Sequence, residues 1–355
     1  MGNTYKIMIM GASYGSLLGL KIAAAGHAVT LACRPEEAEL INAEGIRVRL
    51  PVKGIKTLVE VDSRRLRGKL SAAVPAAINL DDFDLVVLGM QEPQYGAPGV
   101  RELLEAVGRA KLPCMSIMNM PPLPYLARIP GVAVDDCRNC YTDPAVWQDL
   151  APALTTLCSP DPQAFRPPGE GANVLQVRLP TNFKAAPFES DAHTEILRQL
   201  ASGIEAFRFD TGHGVIELPV KLKVHDSVFV PLAKWSMLLA GNYRCVQANA
   251  IRSIKDAVHS DLDEARAVYQ WVIDLCKKLG ASERDLVPFD KYANAALSLE
   301  SPSSAARALE NGARNIERVD RLVQSVGAQQ GMRLDSIDSI VALVDARLAV
   351  NRQAA

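Results

Sequence analysis

A short loop near the start of the chain contains the residue types that a phosphate-binding turn needs. The loop reads Gly11-Ala-Ser-Tyr-Gly15 and lies between an apolar run and a helical pattern. Glycines let backbone N–H groups approach a pyrophosphate closely, and the N-terminus of the following helix adds partial positive charge. The spacing departs from G-x-G-x-x-G, because serines stand at positions 13 and 16. We predict that the loop binds a dinucleotide through four residues, Gly11, Ser13, Tyr14 and Gly15; the alternative is a βαβ turn without a ligand.

The same loop matches a second motif, the nucleophile elbow G-x-S-x-G, with Ser13 as the nucleophile. That motif belongs to an α/β-hydrolase sheet, in which other strands come before it. Here the loop follows the first strand of the chain, so the spacing disfavours a hydrolase.

An arginine follows the second predicted strand, which ends in Cys33-Arg34-Pro35. An NAD-specific domain usually has Asp or Glu at this point, about 20 residues after the glycine loop, to hold the ribose 2′-hydroxyl. An arginine accommodates the 2′-phosphate of NADP(H) instead. Arg34 therefore predicts NADP(H) as the cofactor, and a solvated surface charge is the alternative.

The chain contains one C-x-x-C pair, Cys137 and Cys140. A structural zinc site would need a second pair of ligands, and only Cys158 and His193 follow at a suitable distance. A thioredoxin-like pair would open a helix, whereas a turn is predicted here. We therefore predict no metal and no redox role for this pair.

Composition limits the class of protein. The 355 residues are 48% hydrophobic and 22% charged, which is typical of a globular chain of two domains. The formal charge is −1 without a long basic run, so nucleic acid and anionic membranes are disfavoured as partners. No apolar run reaches the length of a membrane span. Seven cysteines without a regular framework are typical of reduced thiols in the cytoplasm, where we expect the protein.

The elements that would position these residues differ between the two halves of the chain. The first half alternates short apolar runs with helical patterns, which predicts a parallel sheet covered by helices on both faces. Its strands are expected at 6–10, 28–33, 85–90 and 115–120. Proline clusters mark loops between about 121 and 190, with one strand at 174–179.

The second half has the pattern of long helices, expected at 226–258, 260–280, 302–327 and 335–350, with Ser260 capping the second of them. The sequence therefore predicts an α/β Rossmann domain over 1–212 and an all-α domain over 213–355.

Five segments of the chain resemble the ketopantoate reductase family. The likeness extends over nearly the whole sequence and is interrupted by an apparent insertion at about 137–190. The five segments are GSLLGLKIAAAGHAVTLACR, LVVLGMQEPQYG, SIMNM, PLAKWSMLLAGNYRCV and SPSSAARALENGARNIERVD. The resemblance implies that NADPH reduces the ketone of a 2-keto acid. It also implies a helical domain for substrate binding, and the exposed faces of that domain are compatible with a homodimer.

The resemblance assigns roles to individual residues. Lys234 and Glu317 match the catalytic residues of the family. Asn242, Ser304 (or Ser303) and Asn119 match substrate-binding positions, and Gln94 and Asn119 match positions at the cofactor. Negative charge develops on the ketone oxygen during hydride transfer, so a proton donor such as Lys234 must lie beside it.

Three of these assignments, those of Lys234, Glu317 and Ser304, have a plainer alternative. Lys234 would be a lysine whose charge reaches solvent from an apolar helix. Glu317 would pair with Arg314 on a solvated helix face. Ser304 would be a helix cap.

Two positions that bear on the substrate depart from the family pattern; Met120, in place of the glycine that usually follows Asn119, departs from it as well. Leu238 replaces the first of two asparagines, and Gln91 replaces a lysine. The first change removes a polar contact and adds apolar bulk, which suggests a bulkier or more apolar keto acid than ketopantoate. The other hypotheses are a dehydrogenase of the same architecture acting on another hydroxy acid or an imine, and an NADP-binding sensor without catalysis.

Overall fold

The structure, a computed structural model, describes residues 4–353. Its strands are β1 (Lys6–Met10), β2 (Ala28–Ala32), β3 (Arg47–Leu50), β4 (Val59–Asp62), β5 (Lys69–Ala73), β6 (Leu85–Leu88), β7 (Cys114–Ile117), β8 (Thr155–Ser159), β9 (Gln163–Phe165), β10 (Val174–Leu179), β11 (Phe183–Ala185), β12 (Phe209–Asp210), β13 (Val215–Ile216) and β14 (Leu222–Val224). Its helices are α1 (Gly15–Ala24), α2 (Pro35–Glu44), α3 (Val100–Arg109), α4 (Leu123–Leu126), α5 (Asp191–Ala206), α6 (Lys234–Met237), α7 (Ile254–His259), α8 (Leu262–Lys278), α9 (Phe289–Ala296), α10 (Ser304–Glu310), α11 (Val319–Gln329) and α12 (Asp335–Gln353).

The described chain forms two compact units. The sheet unit consists of the chain up to Met90, Gln94–Met118 and Val146–Asp226. The helical unit consists of Gln91–Pro93, Asn119–Ala145 and the chain from Ser227 onward. No helix among residues 4–353 is long and apolar enough to cross a membrane.

The main sheet of the sheet unit has eight strands in the order β14-β11-β8-β7-β6-β1-β2-β5. Neighbouring strands run parallel except for β8 and β11. The chain passes from β1 outward to β2 and β5, then returns to the other side of β1 as β6. This reversal makes the doubly wound topology of a Rossmann domain, in which ligands bind at the carboxyl ends of the strands beside the reversal. The predicted fold class is therefore confirmed.

The segment 137–190 is part of this architecture, in contrast to the predicted insertion. All of β8 is buried, and it joins the main sheet between β7 and β11. Strands β9 and β10 join β3 and β4 in a second, four-stranded sheet. The proline-rich loops that flank these short strands conceal them in the sequence.

The division of the chain also differs from a boundary at 212. Strand β14 pairs in parallel with β11, so the sheet unit continues to Asp226. Residues 119–145, which precede the strands of the presumed insertion, belong to the helical unit. The change from strand to helix patterns therefore marks only approximately where one unit ends.

The helical unit is more broken than the sequence suggests. The helix predicted over 226–258 is wrong, because this stretch contains a 3₁₀ turn at Pro231–Ala233, then α6, then a π-helical turn at Leu238–Asn242 and a second 3₁₀ turn at Tyr243–Cys245. A Cβ atom on Gly241 would lie 1.9 Å from the Tyr292 hydroxyl, so the π turn packs closely against α9.

The helix predicted over 302–327 is also interrupted. Residues 311–318 are not helical and separate α10 from α11. This irregular segment carries Glu317.

Asp261, rather than the predicted Ser260, caps α8. Its side chain accepts a hydrogen bond from the Glu264 backbone N–H.

Helix α1 of the sheet unit buries a lysine, Lys21, which is only 2% exposed. Its ammonium group donates a hydrogen bond to the Pro219 carbonyl oxygen at 2.7 Å. Burial, and then the nearby cation of Lys221, lower the pKa of Lys21 to about 7, while Glu217 and Glu205 act in the opposite direction. Keeping Lys21 charged in the folded state therefore lowers the free energy of unfolding.

Lys21→Met should raise the free energy of unfolding at neutral pH. We expect this gain to become smaller as the pH rises. Between about pH 7 and pH 10 the unfolded chain still binds the lysine proton and the folded chain releases it, so wild-type stability gains up to about 1.4 kcal/mol per pH unit from this group. The measurement is the free energy of unfolding in urea at about pH 7 and about pH 8.5. The exposed Lys69 gives the control, Lys69→Met. An equal difference between Lys21→Met and wild type at both pH values would contradict the prediction.

Candidate functional site

The glycine loop lies at the carboxyl end of β1, beside the reversal of the main sheet. Gly11 has a φ of +104°, a conformation that side chains rarely adopt. A Cβ atom there would lie 2.5 Å from Met90 Cγ and 3.2 Å from the Gly89 carbonyl oxygen. Only glycine fits between the ends of β1 and β6, where open α/β sheets bind their ligands.

Helix α1 begins directly after this loop. A Cβ atom on Gly15 would lie 2.7 Å from Ile9 Cγ2, so glycine lets the helix pack closely on β1. The first turn of α1 contains no acidic residue, and Ser13 is exposed beside it. Both features fit a pyrophosphate. Glycine lets the helix and the strand pack closely, and the N-terminus of the helix carries no carboxylate that would repel a phosphate.

The side chain of Tyr14 is engaged within the sheet unit. Its hydroxyl donates to the Pro162 carbonyl oxygen at 2.6 Å, and its ring meets Phe183 edge-on at 5.9 Å. Because its side chain is occupied in this way, Tyr14 would contact the predicted cofactor through its backbone rather than through its ring. Gln94, another predicted cofactor residue, is exposed on a single 3₁₀ turn at Glu92–Gly96.

Arg34 follows β2, directly before α2, and lies in a small charged cluster. Its guanidinium lies 3.3 Å from the Glu37 carboxylate, and Arg166 contacts the same carboxylate at 2.6 Å. Burial disfavours the charge on Glu37, but the hydrogen bonds from Arg34 and Arg166 outweigh it and keep the pKa of Glu37 below its usual value. The cluster thus offers two cations to an anion, with one carboxylate that competes for them.

A small cavity of about 30 Å³ lies within the helical unit. It is lined by Gln91, Asn119, Leu238, Asn242, Tyr243, Ser304, Ala305, Ala308, Ile316 and Glu317. Four of the predicted site residues, Asn119, Asn242, Ser304 and Glu317, thus meet here, together with both positions that depart from the family pattern. A cavity of this size holds about one water molecule or one polar group of a ligand.

Glu317 is a buried carboxyl group, 7% exposed. Asn119 Nδ2 donates to its Oε2 at 3.0 Å, and the Glu92 backbone N–H donates to its Oε1 at 3.4 Å. Burial raises the pKa of Glu317, although these hydrogen bonds favour its charged form. The alternative of a solvated pair with Arg314 is therefore wrong, because the irregular segment 311–318 turns Glu317 inward.

Asn119 leaves one polar atom for a ligand. Among the described residues, its buried Oδ1 has no hydrogen-bond partner, while its Nδ2 is held by Glu317. Buried polar atoms are usually paired, so an acceptor beside a cavity favours a ligand that brings a hydroxyl or N–H donor.

Sequence reasoning missed Glu92, which is 2% exposed. Its carboxylate accepts hydrogen bonds from the backbone N–H and the hydroxyl of Thr142, both at 3.0 Å. Burial, opposed by these bonds and assisted by the charge of Glu317, raises the pKa of Glu92 to about 7. A charged residue in a short polar stretch carries no signal of burial, so the sequence could not single it out.

The two serines at the start of α10 have different roles. Ser303 caps the helix, since its side chain accepts from the Ala306 backbone, and its hydroxyl donates to the Asn242 carbonyl oxygen at 2.7 Å. Ser304 is exposed and lines the cavity. The helix-cap alternative for Ser304 is therefore wrong, and Ser303 has that role.

Lys234 begins α6 and is half-buried. Its neighbours Trp235 and Leu238 are buried, so the backbone that carries this lysine is anchored in an apolar core. The π-helical turn at Leu238–Asn242 separates Lys234 from Asn242. Lys234 itself is not among the cavity-lining residues. Such π turns frequently occur at functional sites, where they change the direction of the side chains that follow.

The two cysteines of the C-x-x-C pair, Cys137 and Cys140, are both buried with free thiols. In the part of the chain that the structure describes, no group of three His, Cys, Asp or Glu side chains lies close enough together to hold a metal ion.

No protein-family model matches the sequence, and neither does any curated protein. Solved structures do match. A ternary complex of D-mandelate dehydrogenase with NADH and anilino(oxo)acetate is 15% identical, with a TM-score of 0.64 over 98% of this chain and 99% of that chain. The 2-dehydropantoate 2-reductase (ketopantoate reductase) from Methylococcus capsulatus is 17% identical, with a TM-score of 0.64 over 98% and 97%.

A dimeric ketopantoate reductase from Staphylococcus aureus is 9% identical, with a TM-score of 0.60 over 98% of this chain and 99% of that chain. The expected likeness to ketopantoate reductases is thus confirmed at the level of the fold.

Proposed function

We propose that the protein is an NADPH-dependent reductase of a 2-keto acid. The observation that carries the proposal is the cavity of the helical unit, because it brings together Asn119, Asn242, Ser304 and Glu317, which lie far apart in the sequence. These are the residues that the family resemblance assigns to substrate and catalysis, and the chain has the fold of solved ketopantoate reductases.

Different residues of the chain have different roles in the proposed reaction. The glycine loop and Arg34 hold the cofactor, which supplies a hydride when bound. Lys234 donates a proton to the ketone oxygen as negative charge develops on it. Asn119 Oδ1 accepts a hydrogen bond from the hydroxyl that forms, and Ser304 and Asn242 orient the substrate. Glu317 keeps Asn119 in position through its Nδ2.

We infer that the substrate carries a more apolar group than ketopantoate. Leu238 lies in the cavity lining, where the family has an asparagine, and it is 3% exposed. A second candidate, a dehydrogenase of another 2-hydroxy acid, is favoured by the similar fold of D-mandelate dehydrogenase, whose complex contains an aromatic oxo acid derivative and NADH.

The test is oxidation of NADPH with a panel of 2-keto acids that includes ketopantoate and keto acids with aliphatic and aromatic side chains. We expect turnover, with the apolar members preferred over ketopantoate, and Leu238→Asn shifts the preference toward ketopantoate. Tight NADPH binding without turnover of any member would refute the reductase and favour the non-catalytic sensor. Equal turnover of ketopantoate in wild type and Leu238→Asn would refute the role of Leu238.

The choice of cofactor makes a separate prediction. We expect Arg34→Ala to weaken NADPH binding by about tenfold and to leave NADH binding almost unchanged, because only NADPH has the 2′-phosphate that the guanidinium would hold. Glu37→Gln removes the competing carboxylate and should strengthen NADPH binding. Titration of protein fluorescence with each cofactor measures both effects without any substrate. An equal loss for both cofactors in Arg34→Ala would contradict the assignment.

We also propose a cytoplasmic homodimer that associates through the helical domain. The dimeric enzyme from Staphylococcus aureus, which has a similar fold, supports this proposal. Light scattering of the purified protein measures its mass in solution, and a monomer at micromolar concentration would refute it.

A further inference from the structure

A short segment of the sheet unit, 160–166, leaves β8 of the main sheet and contains β9 of the second sheet. Near its start, the Pro162 carbonyl oxygen accepts a hydrogen bond from the Tyr14 hydroxyl at 2.6 Å. At its end, the Arg166 guanidinium lies 2.6 Å from the Glu37 carboxylate. The segment therefore contacts both the glycine loop and the first turn of α2.

Two guanidinium groups meet at one oxygen atom beside this segment. Arg34 Nη2 lies 3.3 Å from Glu37 Oε1, and Arg166 Nη2 lies 2.6 Å from the same atom. Arg34 Nε also donates to the second oxygen, Oε2, at 3.3 Å. Because both guanidinium groups contact a single carboxylate, they are close enough together to hold one anion of similar size between them.

The exposure of the side chains indicates where an anion can reach this cluster. The Glu37 side chain is 11% exposed, whereas that of Arg34 is 73% exposed. Arg34 directly precedes α2, whose N-terminus adds partial positive charge at the same point. Guanidinium groups bind carboxylates and phosphates with the same fork of donors, so a phosphate can take the place of the carboxylate. The cluster therefore has the composition of a phosphate site that opens on the side of Arg34.

A neighbouring cation of the second sheet is bound differently. Arg49, on β3, pairs with Glu60 at 2.8 Å and with Glu170 at 2.9 Å, so it has two carboxylates of its own. Arg34 and Arg166 instead share the one carboxylate of Glu37. A pair of cations that shares one anion gains more from a further negative charge than a cation that already has two.

We propose that Arg166 completes a phosphate-binding site with Arg34, and that Glu37 occupies this site in the absence of a ligand. The ligand is a phosphate monoester. The inference rests on the proposed function only for its identity, the 2′-phosphate of NADPH. When the phosphate binds, it takes over the two guanidinium groups from Glu37. Arg166 is thus a specificity-determining residue that the family resemblance does not assign, since it lies in the segment that looked like an insertion.

The test compares nucleotides with and without a 2′-phosphate by calorimetry on the full-length protein. We expect Arg166→Ala to weaken binding of NADPH and of adenosine 2′,5′-bisphosphate by about tenfold. Binding of NADH and of 5′-AMP should be almost unchanged, which also shows that the variant is folded. Arg166→Lys keeps the charge but loses the fork of donors, so it should recover only part of the affinity. Arg49→Ala, the matched control from the same sheet, should bind all of them like wild type.

An equal loss for NADPH and NADH in Arg166→Ala, or no loss for either, would overturn the proposal. The role of Glu37 has its own test. Glu37→Gln should bind adenosine 2′,5′-bisphosphate more tightly than wild type, because the carboxylate no longer competes, and weaker binding would show that Glu37 only holds the arginines in place.

The same variants separate this inference from the proposed function. Selective loss of NADPH binding in Arg166→Ala, without turnover of any keto acid in wild type, would leave the inference standing and refute the reductase. Turnover in wild type, with an unaltered preference for NADPH over NADH in Arg166→Ala, would refute the inference alone.

Discussion

Lys234→Ala is expected to lower kcat for keto acid reduction by roughly 10²- to 10⁴-fold, the usual contribution of a positioned proton donor. The hydride transfer leaves negative charge on the substrate oxygen, and alanine can neither neutralise that charge nor protonate it. Cofactor binding should be almost unchanged, because the glycine loop and Arg34 belong to the sheet unit. The measurement is steady-state NADPH oxidation with the preferred keto acid.

Two variants control for the loss of a positive charge. Lys291→Ala removes an exposed lysine of the same unit and should retain full activity. Lys234→Arg retains the charge, but a guanidinium does not release its proton at neutral pH, so it should recover substrate binding rather than kcat. A kcat of Lys234→Ala within a few-fold of wild type would show that this lysine merely extends its charge into solvent.

Glu317→Gln is expected to lower kcat/KM by roughly 10²-fold, the usual cost of misplacing a group that orients the substrate. The amide has the same shape, but it has one acceptor oxygen where the carboxylate has two. It also presents an N–H donor toward either Asn119 Nδ2 or the Glu92 backbone N–H, both of which donate to Glu317. One of those contacts becomes a repulsion between donors, which disturbs the orientation of Asn119 in the cavity.

The matched control is Glu283→Gln, because Glu283 is an exposed glutamate of the same unit that pairs with Lys277. It should change neither kcat nor KM. Circular dichroism and the unfolding midpoint of Glu317→Gln separate a local defect from loss of fold. Wild-type kcat/KM in a folded Glu317→Gln would exclude a catalytic role for this residue.

The sequence predicts the sheet unit better than the helical unit. The apolar run of β1, the glycine loop and the helix after it are local patterns, and each follows from residues a few positions apart. Glycine is required at positions 11 and 15 because a Cβ atom there would lie 2.5 Å from Met90 Cγ and 2.7 Å from Ile9 Cγ2. The Rossmann fold and the position of Arg34 just after β2 could therefore be predicted without coordinates.

The helical unit shows the limit of such patterns. Residues 226–258 and 302–327 have helical periodicity, but Pro231, the π turn and the irregular segment 311–318 interrupt them. The breaks matter for function, since one of them turns Glu317 into the cavity. Periodicity reports which face of a helix is apolar, whereas the packing of neighbouring helices decides where the helix is interrupted.

Long-range pairing was decided by the tertiary structure alone. Glu92 and Glu317 are 225 residues apart in sequence, and nothing in the short segment around either residue indicates the other. Arg166 reaches Glu37 from a segment that looked like an insertion. The sequence by itself determined the Rossmann fold and named most of the residues that are candidates for the site. The folded chain decided which carboxyl groups are buried, because burial depends on contacts that form only when distant segments meet.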